Sequence, residues 1–156
     1  MNGFGRSALV VDDNRHMRFM LAEMLRGFGF RTVDEASDLT QANALIDKRR
    51  HDCALVDMGL GAESGLEVIR SIRCVHGADV PVLVVSGENV TSTVRAAGAA
   101  GANGFLVKPF STAGLAEKLE KVLVRPDHAG NSHALARQET PTPETAAAAS
   151  DDDVYI

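Results

Sequence analysis

No apolar run in this chain approaches the roughly eighteen residues of a membrane span, so no transmembrane helix is expected. Nor is a signal peptide. Arg6 is the only charge before Ala8-Leu9-Val10-Val11, and that run leads straight into Asp12 and Asp13. These absences point to a cytoplasmic protein. Cysteine is scarce: Cys53 and Cys74 are far apart, each in an apolar segment, and read as reduced thiols acting as small hydrophobes. The five histidines, His16, His51, His76, His128 and His133, show no ligand spacing with cysteine or acid and read as scattered surface residues. Net charge is also lacking. Up to Val124 there are 14 basic and 15 acidic side chains, and beyond it 2 basic and 6 acidic. A body so nearly neutral offers no long-range attraction for nucleic acid.

What remains fits one domain. The 156 residues, 45% hydrophobic and 24% charged, suffice for a single filled core. Ser7 to Val11 is an aliphatic run ended by Asp12-Asp13 and reads as a buried strand. Met17, Met20, Leu21, Met24, Leu25 and Phe28 follow at helical spacing, with Gly27 and Gly29 as the stop. Phe30 to Ala36 reads as a weaker strand near an edge. Ser37 or Asp38 caps a second helix, with Leu39, Ala42, Leu45 and Ile46 inward. Cys53 to Val56 is a third strand ending at Asp57, followed by a loop with three glycines. Ser64 and Glu67 have capping-box spacing at the start of a third helix, whose buried stripe is Leu66, Ile69 and Ile72. Val82 to Val85 is a fourth strand ending at Ser86. Thr91 to Ala99 is a thin fourth helix with little to bury, expected to be mobile. Phe105-Leu106-Val107 is a fifth strand ending at Lys108-Pro109, and Thr112 to Val124 closes the domain as a helix.

Strands alternating with helices at this spacing mean βαβ units and a parallel sheet with helices on both faces. Five units in about 120 residues match the flavodoxin-like doubly wound sheet, strand order 2-1-3-4-5, whose crevice lies between strands 1 and 3. Asp12-Asp13, Asp57, Ser86 and Lys108 then all stand at the carboxyl rim. Three crowded carboxylates repel one another, and Mg²⁺ removes that repulsion while leaving coordination positions for a phosphoryl oxygen. Lys108 and Ser86 suit a phosphoryl group. Asp57 is then the natural nucleophile, because a carboxylate can form an acyl phosphate.

Val-Val-Asp-Asp at 10–13, Leu-Val-Asp at 55–57 with Gly65 downstream, Val-Val-Ser-Gly at 84–87 and Gly-Phe-Leu-Val-Lys-Pro-Phe at 104–110 resemble the response-regulator receiver domain of two-component signalling, over residues 7–124. The resemblance implies that Asp57 accepts a phosphoryl group from a phosphohistidine on a sensor histidine kinase or histidine phosphotransfer protein. It implies Mg²⁺ held by Asp13, Asp57 and the Gly59 carbonyl, with Asp12 acting mainly through water. Ser86 and Lys108 would hold phosphoryl oxygens, assisted by the Gly87 and Met58 amides. Ser86 and Phe105 would form the switch, Phe105 turning inward to fill the space that Ser86 leaves. Such a domain phosphorylates and dephosphorylates itself and is not a turnover enzyme.

Three departures from the common pattern stand out. Leu60-Gly61 replaces a frequent Met-Pro, which should leave that loop more mobile. Ser86 stands for threonine and Gly87 for alanine. Gly59 and Glu88 flank the water approach to the acyl phosphate, and an open position 59 implies a short to intermediate phosphoryl lifetime.

Residues 1–124 are thus expected to form the receiver domain. Arg125 to Ser150, rich in Pro, Thr, Ala, Ser and Glu, reads as disordered, and Asp151-Asp152-Asp153-Val154-Tyr155-Ile156 as either a docking motif or a frayed end. No second folded domain fits, so the output is a protein–protein contact with an unspecified target, or a phosphorelay. The protein would be a monomer or a phosphorylation-dependent dimer. Two alternatives stay open. One is a Mg²⁺-dependent aspartyl-nucleophile phosphatase of the haloacid-dehalogenase type, which normally carries Asp-x-Asp after its first strand, where this chain has Asp-Asp-Asn. The other is an interaction module that is never phosphorylated.

Overall fold

The structure is a computed structural model and describes residues 5–87 and 91–124. Five strands, β1 (Ser7–Val11), β2 (Thr32–Ala36), β3 (Cys53–Val56), β4 (Val82–Ser86) and β5 (Gly104–Val107), form one parallel sheet in the order β2-β1-β3-β4-β5. Helices α1 (Arg15–Gly27), α2 (Leu39–Lys48), α3 (Gly65–His76), α4 (Thr91–Ala100) and α5 (Thr112–Leu123) make the crossovers. This is the expected flavodoxin-like doubly wound fold. The strand order reverses between β1 and β3, where Val11 pairs with Val56 and Asp57 N–H donates to the Val11 carbonyl at 2.9 Å.

The aliphatic runs are continuous because both sheet faces are covered. Leu9, Val11, Ala54, Val56, Val82, Val84 and Phe105 face α2, α3 and α4. Ala8, Val10, Cys53, Leu55, Leu83, Val85 and Leu106 face α1 and α5. Asn14, Asp38, Ser64 and Ser111 cap the N-termini of α1, α2, α3 and α5 with their side chains. Helix α4 buries only Val94 and Ala97, as its composition foretold.

Several expectations need correction. The stretch 59–64 is no plain glycine loop: Gly59–Leu60 and Glu63–Ser64 pair as a short antiparallel hairpin, and Leu60 is buried in the core. The capping box is half formed. Ser64 caps the Leu66 amide at 3.1 Å, but Glu67 bonds Arg70 at 2.9 Å. Of the two candidates for the α2 cap, Asp38 is the one used, and β2 begins at Thr32 rather than Phe30. His51 is buried against Asp34 at 2.8 Å rather than on the surface. Cys53 is buried, where burial pushes its thiol up to about 12, but Cys74 is exposed on α3. The tail from residue 125, with its acidic and apolar end, lies outside the described residues, as does Glu88.

Candidate functional site

The end of β1 delivers two carboxylates to opposite environments. Asp12 is fully buried: its Oδ1 accepts the Asn14 N–H at 2.9 Å and its carbonyl accepts from Arg18 Nη1 at 2.8 Å. Asp13 is exposed. One strand over, Asp57 follows β3, with 12% of its side chain exposed and its Oδ1 accepting the Gly59 N–H at 3.3 Å. Its backbone turns so tightly that Gly65 packs on it. A Cβ at position 65 would overlap the Asp57 carbonyl oxygen and come within 2.9 Å of Met58 Cα, so only glycine fits.

The Lys108–Pro109 peptide is cis. Lys108 N–H donates to the Ser86 carbonyl at 2.8 Å, which joins the ends of β4 and β5. Lys108 Nζ then reaches back across the rim to Asp12 Oδ2 at 2.9 Å and Asp57 Oδ2 at 3.5 Å. Oxygen atoms of Asp12, Asp13 and Asp57 all lie within 4.8 Å of one another. Ser86 is buried at the end of β4, two residues beyond Val84, whose register partner is Phe105. Phe105 is enclosed in the core at 1% exposure. Gly87 is exposed. Met58 and Gly59 border an open cleft of about 360 Å³ with Ser64, Leu66, Ser92, Thr93 and Ala96.

The electrostatics follow from this crowding. Burial, and then the charge of Asp12, raise the carboxyl of Asp57, while Lys108 and the Gly59 amide pull it back. Among the described residues three carboxylates share one ammonium, so the cluster carries unbalanced negative charge. A hard divalent cation suits that donor set.

The model of the response regulator receiver domain matches residues 8–120. Chemotaxis protein CheY-3 of Vibrio cholerae is 34% identical over 118 residues, covering 75% of this chain and 91% of that protein. The chain belongs to the response regulator receiver domain family. Receivers of this CheY-like kind are phosphorylation-operated signalling switches. Among solved structures, the receiver domain of sensor histidine kinase PA1611 from Pseudomonas aeruginosa PAO1, with a magnesium ion coordinated in its active site cleft, is similar at 30% identity. It aligns with TM-score 0.70 over 78% of this chain and 99% of that one. A response regulator protein from Burkholderia pseudomallei, solved with a phosphorylated aspartic acid, a calcium ion and citrate, is 27% identical, with TM-score 0.68 over 87% of this chain and 75% of that one.

The sequence reading missed several anchors of the site: Asn14, Arg18 and the hairpin. Asn14 was legible as a polar residue just ahead of a helical apolar stripe. Arg18 had no signal, since its partner at Asp12 is a backbone carbonyl.

Proposed function

We propose that Asp57 is the phosphoacceptor of this receiver and that a phosphohistidine on a sensor histidine kinase or histidine phosphotransfer protein is the donor. An Asp57 carboxylate oxygen attacks phosphorus, the phosphorus–nitrogen bond breaks, the imidazole departs, and an acyl phosphate remains on Asp57. Asp13, Asp57 and the Gly59 carbonyl would hold Mg²⁺, with Asp12 beside it; the ion supplies charge neutralisation on the phosphoryl oxygens. Lys108 carries a fixed positive charge to the same oxygens. The Ser86 hydroxyl and the Met58 and Gly87 amides donate hydrogen bonds to the remaining ones. Drawing Ser86 toward the phosphoryl group changes the packing around Phe105, and the two forms shift in population by the difference in their stabilities. Output is a protein–protein contact or a further phosphoryl transfer in the cytoplasm, from a monomer or a phosphorylation-dependent dimer. On this reading residues 1–124 are the signalling domain and do not turn over a general substrate.

The observation that carries the reading is the meeting of Lys108 Nζ with Asp12 and Asp57 at 2.9 and 3.5 Å. Intact mass after acetyl phosphate and Mg²⁺ treatment is the test. The wild type should gain one phosphoryl group and Asp57→Asn none. A gain that persists in Asp57→Asn moves the nucleophile elsewhere, no gain in the wild type revives the unphosphorylated interaction module, and multiple turnovers of a phosphomonoester would restore the phosphatase.

A further inference from the structure

The hairpin after Asp57 has a register that fixes where its backbone groups point. Gly65 N–H donates to the Met58 carbonyl at 2.8 Å, and Leu60 pairs with Glu63 across the two-residue turn Gly61-Ala62. Antiparallel pairs alternate between hydrogen-bonded and non-hydrogen-bonded. The pair between those two, Gly59 with Ser64, is therefore the non-hydrogen-bonded kind. Both backbone groups of Gly59 then face away from the hairpin partner. Its N–H meets Asp57 Oδ1 at 3.3 Å, and its carbonyl stands on that same edge, unused by the ladder.

Two-residue strands do not hold a position by themselves. This hairpin is attached to the body at two points. Leu60 is buried in the core, which sets its depth. Glu63 sets its orientation: Glu63 Oε1 accepts the N–H of Leu39, the first residue of α2, at 3.1 Å across 24 positions of sequence. That N–H is one of the donors a helix start leaves unpaired, and a carboxylate suits the positive end of the helix. The cap residue Asp38 is committed to Gln41 N–H at 2.8 Å, so Glu63 serves a different donor.

We propose that Glu63 is a positioning residue for the metal: its bond to the start of α2 holds the hairpin so that the Gly59 carbonyl faces the acidic cluster. The inference rests on the metal site assigned above and adds the side chain that sets one of its ligands.

The test is calorimetric titration of the unphosphorylated full chain with Mg²⁺, for wild type, Glu63→Ala, Glu63→Gln and Leu39→Pro. Gln keeps an acceptor but removes the charge. Proline removes the Leu39 N–H while keeping Glu63 charged; it is tolerated at the first helical position, and Asp38 is already extended, at φ −154° and ψ 177°, as a residue before proline must be. Glu63→Ala and Leu39→Pro should each weaken Mg²⁺ binding by about three- to tenfold, and Glu63→Gln by less than about twofold. Unchanged affinity in Glu63→Ala overturns the proposal. So does a Gln variant as weak as Ala beside a Pro variant as tight as wild type, since that pattern means charge alone. A wild type that binds no Mg²⁺ instead overturns the metal site itself. Thermal melts establish which variants are folded at the titration temperature. If Leu39→Pro is not, the Ala and Gln pair decides.

Discussion

Lys108 Nζ lies 2.9 Å from an oxygen of Asp12, a completely buried carboxylate 96 positions away in the chain. The longer contact, 3.5 Å, is the one to Asp57. Lys108 is therefore first the counter-ion of Asp12, and only second a partner of Asp57. Removing one member of a buried pair leaves the other charge uncompensated. Lys108→Ala should destabilise the metal-free protein by about 3 kcal/mol in urea unfolding. Saturating Mg²⁺ should recover part of that loss, because a second cation then faces the same carboxylates. A variant as stable as wild type without metal would show that solvent already compensates Asp12.

Asp57 has the opposite character. Its carboxyl is raised by burial and by Asp12, so the folded protein holds that proton more readily than the unfolded chain does. Stability from such a group is complete below its unfolded value and is lost as pH rises through the folded value. At neutral pH the ionised Asp57 is thus a net cost to the fold. Asp57→Asn should raise Tm at pH 7 without Mg²⁺, and the advantage should shrink toward acid pH as the wild-type carboxyl protonates. Tm measured against pH for both proteins checks this, and a lower Tm for the variant at pH 7 would sink it.

The sheet and the rim were legible because strand ends carry their own signal. Aliphatic runs that stop at Asp12, Asp57, Ser86 and Lys108 need only the rule of parallel order to be brought to one edge. The missed features are those whose partners lie elsewhere in the chain. Gly-Leu-Gly-Ala-Glu-Ser reads as a loose loop until Leu60 meets the core and Glu63 meets α2. His51 looks like a surface residue because its partner Asp34 comes from β2, 17 positions away. Cys74 was a different kind of miss. Ile69 and Ile72 define the inner stripe of α3, and helical spacing from them already puts Cys74 on the outside.

His51 supplies a pH dependence of the other sign. Burial lowers its imidazole first, against the upward pull of its bond to Asp34, and the charges of Arg49 and His76 lower it further. The unfolded chain therefore binds this proton more readily. The stability it confers is complete above the unfolded value of 6.5 and is lost as pH falls toward the folded one. Tm should drop between neutral pH and about pH 5, and His51→Gln, which keeps a donor for Asp34 but cannot titrate, should flatten that slope. Parallel curves for the two proteins would rule His51 out as the source.

Arg73 closes the far end of the sheet with one guanidinium. Its Nε and Nη2 donate to the Gly101 carbonyl at 3.1 and 2.7 Å, its Nη1 to the Gly77 and Val80 carbonyls at 2.8 Å each, and its Nη2 to Asn103 Oδ1 at 2.9 Å. Asn103 Oδ1 also accepts the Val82 N–H at 2.7 Å. Gly101, at φ +115°, leaves room for this: a Cβ there would stand 2.7 Å from Arg73 Nε. The end of α3, the start of β4 and the turn between α4 and β5 are thereby fastened together. A lysine offers a point charge in place of the planar fork and cannot serve these acceptors at once. Arg73→Lys should lose about 2–4 kcal/mol in urea unfolding, since it strands several partly buried carbonyls. Val82 begins β4 and Ser86 ends it, so this clamp is a strand length, about 13 Å, from the rim. The rate of phosphorylation by acetyl phosphate per folded molecule should therefore stay at the wild-type value. A large fall in that rate with stability intact would mean that Arg73 acts on the site through α4 rather than on the fold.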